Sequence, residues 1–167
     1  MLVVKLPNIA GVAAPGNAPA LVPHIPAPTV RIYNAANPGY VVTIKHDAVV
    51  LAPDNHRDTN EHWHMIPHYD AEGRDVFIIV NKGTKQAIQR PAAEGQQVRL
   101  VPHNNCVLDS SLLWTKKKVG KDLWCICEVD NNELVLDAVL RGTEIVVVAS
   151  KYKEADSQKW TIKPDIL

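Results

Sequence analysis

The chain has 167 residues, with 18 basic and 18 acidic side chains that give a formal net charge of zero at pH 7. This length suits one domain with a hydrophobic core and is short for two. A neutral chain has no long-range field that would attract a polyanion, so nucleic acid and anionic membranes are not expected partners. The sequence also has no stretch that approaches the roughly eighteen apolar residues of a membrane-spanning helix.

The first 28 residues differ in composition from the rest. Lys5 is their only residue charged at pH 7, and they hold six of the twelve prolines, namely Pro7, Pro15, Pro19, Pro23, Pro26 and Pro28. Prolines at this density prevent a helix and remove hydrogen-bond donors from a strand. The apolar start has no basic residue before it and is interrupted by Pro7 and Gly11, unlike a signal peptide. We predict that residues 1–28 form an extended arm or linker, whose alanines and valines leave contact with the domain surface open.

From residue 29 onward, short apolar runs alternate with turn residues, which predicts an all-β domain. The runs fall into three blocks of similar layout. The predicted strands are 29–33, 40–44 and 49–51 in the first block, 76–80, 86–88 and 98–101 in the second, and 123–129, 133–136 and 145–148 in the third. In each block a loop then leads to a fourth strand that begins at Trp63, Trp114 or Trp160.

A period of about 48 residues relates the three blocks. Their tryptophans are separated by 51 and 46 residues. The period divides one domain, residues 29–167, into repeats at about 29–74, 75–121 and 122–167. Three units that cannot bury their apolar faces alone are expected to close around one core, with the three tryptophans as equivalent core residues. Trp124 lies outside this set, and the sequence leaves it either in the core or on the surface.

Each block ends on a variant of the motif Gln-x-Trp, which is complete in Gln158–Lys159–Trp160. Three such blocks resemble the β-trefoil of the ricin-B-type lectins. Further segments resemble the Euonymus-lectin (EUL) family of plants, and these are Thr29–Tyr33, Val49–Pro53, Val80–Lys82, Val98–Pro102, Leu113–Thr115, Leu134–Ala138 and Gly142–Thr143. The resemblance covers about residues 29–167. It implies a twelve-stranded β-trefoil and a stress-associated lectin of the plant cytoplasm and nucleus that binds mannose- or galactose-containing glycans.

Sugar recognition needs an acceptor for vicinal hydroxyls, an aromatic face for the apolar side of the ring, and an amide that fixes orientation. The resemblance places the acid just past the second strand of a repeat, which in the third block is Asp137. Because Asp137 follows the apolar run Leu134–Leu136, we expect it to begin a turn with its carboxylate exposed. The alternative is that Asp137 only caps this turn.

The other two parts of the third-block site are less complete. Val148–Tyr152 stands where the family carries Trp-x-Trp, so Tyr152 is the aromatic candidate. Ser157 occupies the amide position beside Gln158, and we expect Gln158 to bond the backbone of its own repeat. The segment between Asp137 and Gly142 also lacks the long loop of the family.

The other blocks are weaker candidates. The first offers Asp47 or His46 in the acid position and Asn60 before its motif, with aliphatic residues in the aromatic position. The second has no obvious acid and carries Leu112 in place of the motif glutamine. We therefore rank the third block first, the first block second and the second block last.

Metal binding and catalysis are the remaining chemical alternatives. His62 and His64 have a legitimate zinc spacing, but a solvated strand face explains them equally well, and we predict no metal and no cofactor. Lys116–Lys118 is interpreted as a solvated loop. None of the common motifs Gly-x-Ser-x-Gly, His-Glu-x-x-His or a Gly-rich phosphate loop is present, so we predict no enzymatic activity.

The cysteines indicate a reducing compartment. Cys106, Cys125 and Cys127 make an odd count, which favours free thiols over a disulfide framework. Cys125 and Cys127 lie two residues apart in a predicted strand, so they share a face and do not easily bridge. Together with the lack of an Asn-x-Ser/Thr sequon, this favours an intracellular protein, and the resemblance to the EUL family implies the cytoplasm and nucleus.

The sequence therefore predicts a carbohydrate-binding protein whose partners are glycans or glycoproteins. A shallow site implies weak monovalent affinity, so useful avidity would come from several sites or from an oligomer, with a homodimer left open. The alternative is a protein–protein interaction module or protease inhibitor on the same fold, which the missing Trp-x-Trp favours.

Overall fold

A computed structural model describes residues 28–69, 72–103 and 109–165. Within these ranges the chain forms twelve β-strands, four in each predicted repeat. The strands are β1 (Thr29–Asn34), β2 (Asn37–Lys45), β3 (Ala48–Pro53), β4 (Trp63–Tyr69), β5 (Asp75–Asn81), β6 (Gln86–Gln89), β7 (Arg99–Pro102), β8 (Trp114–Gly120), β9 (Leu123–Glu128), β10 (Leu134–Arg141), β11 (Glu144–Lys151) and β12 (Trp160–Pro164). The predicted arm lies outside the described residues, except for Pro28.

The first and fourth strands of the repeats form a closed antiparallel barrel. Its pairings run from β1 to β4, β5, β8, β9 and β12, and β12 returns to β1. The second and third strands of each repeat form the hairpins β2–β3, β6–β7 and β10–β11. A six-stranded barrel with three hairpins at one end is the β-trefoil, as the sequence predicts.

The three motif tryptophans lie at equivalent places in one core. Trp63, Trp114 and Trp160 are each fully buried. Each indole N–H donates a hydrogen bond to a main-chain carbonyl oxygen of the second strand in its own repeat. The acceptors are Val42 at 2.9 Å, Ile88 at 3.0 Å and Leu136 at 3.1 Å. Each tryptophan thus fastens a hairpin to the barrel, and the predicted equivalence is confirmed.

A single 3-10 turn precedes each of these tryptophans. The turns are Thr59–Glu61, Ser110–Leu112 and Asp156–Gln158. The last residue of each turn is buried two positions before its tryptophan, which places Glu61, Leu112 and Gln158 in one structural position. The three repeats therefore differ at this buried position, which holds a carboxylic acid in the first, an aliphatic side chain in the second and an amide in the third.

The lysine run and Trp124 belong to neighbouring strands. The interpretation of Lys116–Lys118 as a loop is wrong, because these residues lie in β8 and pair with β9. The Nζ atom of Lys116 lies 4.4 Å from the ring centroid of Trp124, a cation–π distance. Trp124 itself is partly buried, unlike the three motif tryptophans.

Cys125 and Cys127 are buried free thiols in β9. Their sulfur atoms lie 3.5 Å apart on one strand face, as the spacing predicts. Burial, together with the neighbouring Cys125, raises the pKa of Cys127 to about 12, so this thiol stays protonated at neutral pH. Cys106 lies outside the described residues. Across the described ranges, none of the helices is long and apolar enough to span a bilayer.

Candidate functional site

Asp137 lies inside a strand. The prediction that it begins a turn with an exposed carboxylate is wrong, since β10 continues to Arg141 and Asp137 is only 4% exposed. The reason is the β10–β11 ladder, which pairs every residue of the two strands and sets Asp137 opposite Val148. The strand ends at Arg141, five residues beyond the predicted end at Leu136, and the hairpin turns at Gly142.

A compact polar cluster surrounds the Asp137 carboxylate. Its Oδ2 atom accepts hydrogen bonds from the Ser150 hydroxyl at 2.6 Å and from the Gln158 side-chain amide at 3.2 Å. The same amide donates to the Lys151 carbonyl at 2.8 Å, and the Gln158 side-chain oxygen accepts from the Lys153 N–H at 2.8 Å. The prediction that Gln158 bonds the backbone of its own repeat is confirmed. Gln158 therefore fixes both the acid and the strand-to-turn segment 151–153.

The other carboxylate oxygen of Asp137 is not used by this cluster. Its Oδ1 atom is buried and has no hydrogen-bond partner among the described residues. A buried oxygen of this kind is costly, and native structures rarely leave one without a donor. The cluster therefore holds an acceptor with spare capacity at the predicted acid position.

Tyr152 follows this cluster directly along the chain. Its side chain is 36% exposed and its backbone N–H donates to the Glu133 carbonyl at 2.9 Å. It lines a cleft of about 300 Å³ together with Lys117, Asn132, Glu133 and Lys151. Because Gln158 bonds the Lys151 carbonyl, one residue joins this cleft to the Asp137 cluster.

Ser157 is placed differently from the sequence prediction. It is half-buried, and its main-chain carbonyl accepts from the Asn34 side-chain amide at 2.9 Å. Asn60 is used in the same way in the first repeat, where its carbonyl accepts from the Asn81 amide at 2.8 Å. Both residues of the predicted amide position therefore hold repeats together through their backbone.

The first repeat has a hydroxyl where the third has an acid. Trp63 bonds the Val42 carbonyl as Trp160 bonds that of Leu136, so Thr43 is the counterpart of Asp137. The Thr43 hydroxyl donates to the Asn60 carbonyl at 3.0 Å. Asp47 instead lies in the β2–β3 turn, exposed and with a φ of 60°.

The second repeat carries an amide at this position. By the same register the counterpart of Asp137 is Gln89, which follows Ile88 and donates to the Ser111 hydroxyl at 2.9 Å. Of the three equivalent positions, only the third-repeat position carries a carboxylate. The structure thus supplies a physical basis for ranking the third repeat first.

Of the two histidines with zinc spacing, His62 contacts a carboxylate. The Nδ1 atom of His62 lies 2.6 Å from a carboxylate oxygen of Asp165, and its Nε2 atom lies 3.2 Å from the His56 carbonyl. Burial would raise the pKa of Asp165, but hydrogen bonds from His62 and Thr29 hold this pKa below its usual value. In residues 28–69, 72–103 and 109–165, no group of three or more His, Cys, Asp or Glu side chains could hold a metal ion. The geometry accounts for His62 as a structural residue.

The fold and the third-repeat cluster together define the class. A β-trefoil with a Gln-x-Trp turn, whose glutamine holds an acid beside an aromatic cleft, has the arrangement of a lectin domain. Comparisons with known proteins agree. The chain is 42% identical over 154 residues to the ricin B-like lectin R40G3 of rice, covering 83% of the chain and 74% of that protein. The chain belongs to the ricin B-like lectin family.

Two further relatives, one from rice and one from Arabidopsis thaliana, are longer proteins than this chain. Identity is 39% to the ricin B-like lectin R40G2 of rice and 34% to the ricin B-like lectin EULS3 of Arabidopsis thaliana, over 91% and 81% of the chain. The chain spans about half of these two proteins, 48% and 47% of their lengths. All three relatives are named as lectins. No protein-family model matches the chain.

Solved structures support the fold. The designed three-fold symmetric protein ThreeFoil superposes with a TM-score of 0.66 at 14% identity, over 83% of this chain and 99% of that one. A Polyporus squamosus lectin, solved with a human-type influenza-binding epitope, gives a TM-score of 0.66 at 16% identity over 81% and 48%. At these identities the superpositions show the β-trefoil and nothing about the ligand.

Proposed function

We propose that this protein is a EUL-type lectin that binds mannose- or galactose-containing glycans through its third repeat. The observation that supports this most directly is the Asp137 carboxylate, which has one oxygen fixed by Ser150 and Gln158 and the other without a partner among the described residues. Family membership supports the class of function. The choice of sugar rests on the resemblance to EUL proteins.

Recognition would depend on an acceptor that is already oriented. The bonds to Oδ2 fix the carboxylate plane, so Oδ1 can accept from a sugar hydroxyl without a further loss of rotamer freedom. A hydrogen bond to an ionised acceptor in a buried setting is stronger than one in water. Because Oδ1 is covered in the unliganded protein, neighbouring side chains must shift as the sugar enters. The exposed ring of Tyr152 would then pack on the C–H face of the sugar.

A glycan array with matched variants tests this proposal. Asp137→Asn keeps the side-chain shape and removes the charge, and we expect it to weaken glycan binding by about tenfold or more. Tyr152→Ala should also weaken binding, and since Tyr152 is partly exposed, it leaves the core intact. Asp47→Asn serves as the control, because Asp47 lies in an exposed turn away from the equivalent acid positions. Melting curves would exclude unfolding as the cause.

Two outcomes would contradict the third-repeat site. Binding that survives Asp137→Asn and Tyr152→Ala but is lost in Thr43→Ala would move the site to the first repeat. No binding of the unmodified protein to any glycan would favour the second candidate function, a protein-interaction module or protease inhibitor. That alternative is supported by Val148, which is buried where family members present an aromatic residue, so Tyr152 alone must supply the stacking face.

We also propose that the protein acts in the cytoplasm and nucleus. The buried free thiols of Cys125 and Cys127 support this, because they need no oxidising compartment. A fluorescent fusion in plant cells should label both compartments, and label confined to the secretory pathway would contradict the proposal. Sedimentation of the purified chain would decide between a monomer and a homodimer.

A further inference from the structure

The end of the barrel opposite the hairpins carries a large cleft. The hairpins leave the barrel after β1, β5 and β9, so they cover the end where these strands finish. The cleft lies at the other end, where β1 and β5 begin and β4 finishes. Its volume is about 820 Å³, and all six barrel strands contribute to its lining.

The lining of this barrel-end cleft is mostly apolar. Its walls include Met65, Phe77, Trp124 and Ile162. Tyr69, at its edge, is 78% exposed. An apolar concave surface of this size usually marks a place where another group binds. The cleft is thus separate from the Asp137 cluster, which lies within a hairpin at the other end.

We propose that the proline-rich stretch 18–27 of this same chain binds in the barrel-end cleft. Pro28 lines the cleft and is the residue to which this stretch is joined. Residues 18–27 are alanine, proline, leucine, valine, isoleucine and one histidine, with no residue of fixed charge. Their composition therefore matches the walls of the cleft.

Proline spacing lowers the entropic cost of this contact. Pro19, Pro23, Pro26 and Pro28 favour an extended polyproline conformation, which is ordered before binding and typically docks on aromatic-lined grooves. Trp124, Phe77 and Tyr69 provide aromatic groups along the cleft. Ten residues in this conformation reach about 30 Å, so the stretch is long enough to cross the cleft from Pro28.

Because residues 18–27 are covalently joined to the domain at Pro28, even a weak contact with the cleft is enough to keep them bound there. A segment joined at the edge of its binding site acts at an effective concentration in the millimolar range. Burial of apolar side chains such as Leu21 and Ile25 then needs to supply only a small free energy. The charged side chains of the lining, Asp75 and Lys116, are exposed to solvent and so do not require a charged partner from the arm.

Trp124 provides a reporter for the test. The other three tryptophans are fully buried, so acrylamide quenching of the full chain reports mainly on Trp124. If the arm covers the cleft, the double change Leu21→Asp with Ile25→Asp should give a several-fold rise in quenching and a red shift of emission. The matched control is Leu2→Asp with Ile9→Asp, which places the same charges in the same arm but outside residues 18–27. Trp124→Phe should remove the signal.

A peptide of residues 18–28 added to the Leu21→Asp and Ile25→Asp protein should restore protection of Trp124. Unchanged quenching in that double variant would overturn the proposal. Protection that depends on protein concentration would overturn it in favour of a second copy of this chain in the cleft. Equal quenching in the two double variants would also overturn the proposal, because it would show that added charge anywhere in the arm, and not loss of binding by residues 18–27, exposes Trp124. Because these substitutions precede the first described residue, Pro28, and the contact needs to supply only a small free energy, melting temperatures should change little.

Discussion

Single residues at one repeated position decide the chemistry of each repeat. Glu61 in the first repeat occupies the place of Gln158 in the third, and it is only 2% exposed. One of its carboxylate oxygens accepts from the Asn55 N–H at 2.7 Å. Burial raises the pKa of Glu61 above its usual value, although the Asn55 hydrogen bond opposes the rise. The folded state therefore disfavours the ionised form of Glu61.

Glu61→Gln should stabilise the protein at neutral pH. An amide keeps an acceptor for the Asn55 N–H and removes a buried charge, so we expect the free energy of unfolding to rise by about 1 kcal/mol at pH 7. The gain should be absent below the unfolded pKa, where Glu61 is protonated in both states, and should grow as pH rises through the raised folded pKa. Urea denaturation between pH 3.5 and 8 measures this. An equal gain at every pH would show that charge is not its cause.

The reverse exchange in the third repeat is the natural control for that experiment. Gln158→Glu removes the amide that donates to Asp137 and Lys151 and sets a second carboxylate beside the first. We expect this variant to lose about 2–4 kcal/mol of stability and to lose glycan binding. A Gln158→Glu protein as stable as the wild type would mean that the Asp137 cluster carries little energy.

At the scale of elements, three indole–carbonyl hydrogen bonds fasten the hairpins to the barrel. We expect Trp63→Phe, Trp114→Phe and Trp160→Phe each to lose about 2–4 kcal/mol, from a missing hydrogen bond and a small cavity. The losses should be similar because the three side chains are equally buried. Trp124→Phe is the control and should cost less than about 1 kcal/mol, since this ring is partly exposed. One motif variant with near-wild-type stability would contradict the equivalence of the repeats.

The strands and their threefold layout could be predicted from the sequence because both depend on local alternation and on a visible repeat. Asp137 could not be placed, because an Asp after an apolar run is usually a turn residue, and only the long-range partners Ser150 and Gln158 stabilise it inside a strand. The sequence alone does not identify Ser150 as part of this cluster. A polar residue two positions after buried Val148 was the only local signal for it.

Asp47 is a second case in which the sequence predicts the local structure but not the equivalent position in another repeat. The sequence places it correctly in a turn, where positive φ values at His46 and Asp47 suit a tight hairpin. It could not show that Thr43 is the counterpart of Asp137, because that equivalence depends on which carbonyl each tryptophan bonds. Which residues are equivalent within the repeats thus depends on tertiary contacts, whereas the existence of the repeats is visible in the sequence.

At the scale of the whole molecule, the barrel closes where the first strand pairs with the last. Asp165, just after β12, accepts hydrogen bonds from the Thr29 hydroxyl at 2.7 Å and from Arg31 at 3.2 Å, both in β1. His62, just before β4, contacts the same carboxylate at 2.6 Å. Arg31 also pairs with Asp54 at 2.7 Å, after β3. One carboxylate therefore ties together the two ends of the described domain.

Asp165→Asn should weaken this closure in a pH-dependent way. The folded state lowers the pKa of Asp165, so its ionised form contributes stability that is fully present above the unfolded value of about 3.8 and is lost as pH falls through the lowered folded pKa. We expect the variant to lose about 2 kcal/mol at pH 7 and much less near pH 2, as measured by urea denaturation at both pH values. Asp156→Asn is the control, because its pairing with Lys159 at 3.5 Å is exposed and should contribute under about 0.5 kcal/mol. If Asp165→Asn costs the same at both pH values, the contribution of Asp165 comes from its shape and neutral hydrogen bonds, and the ends of the barrel are not held together by charge.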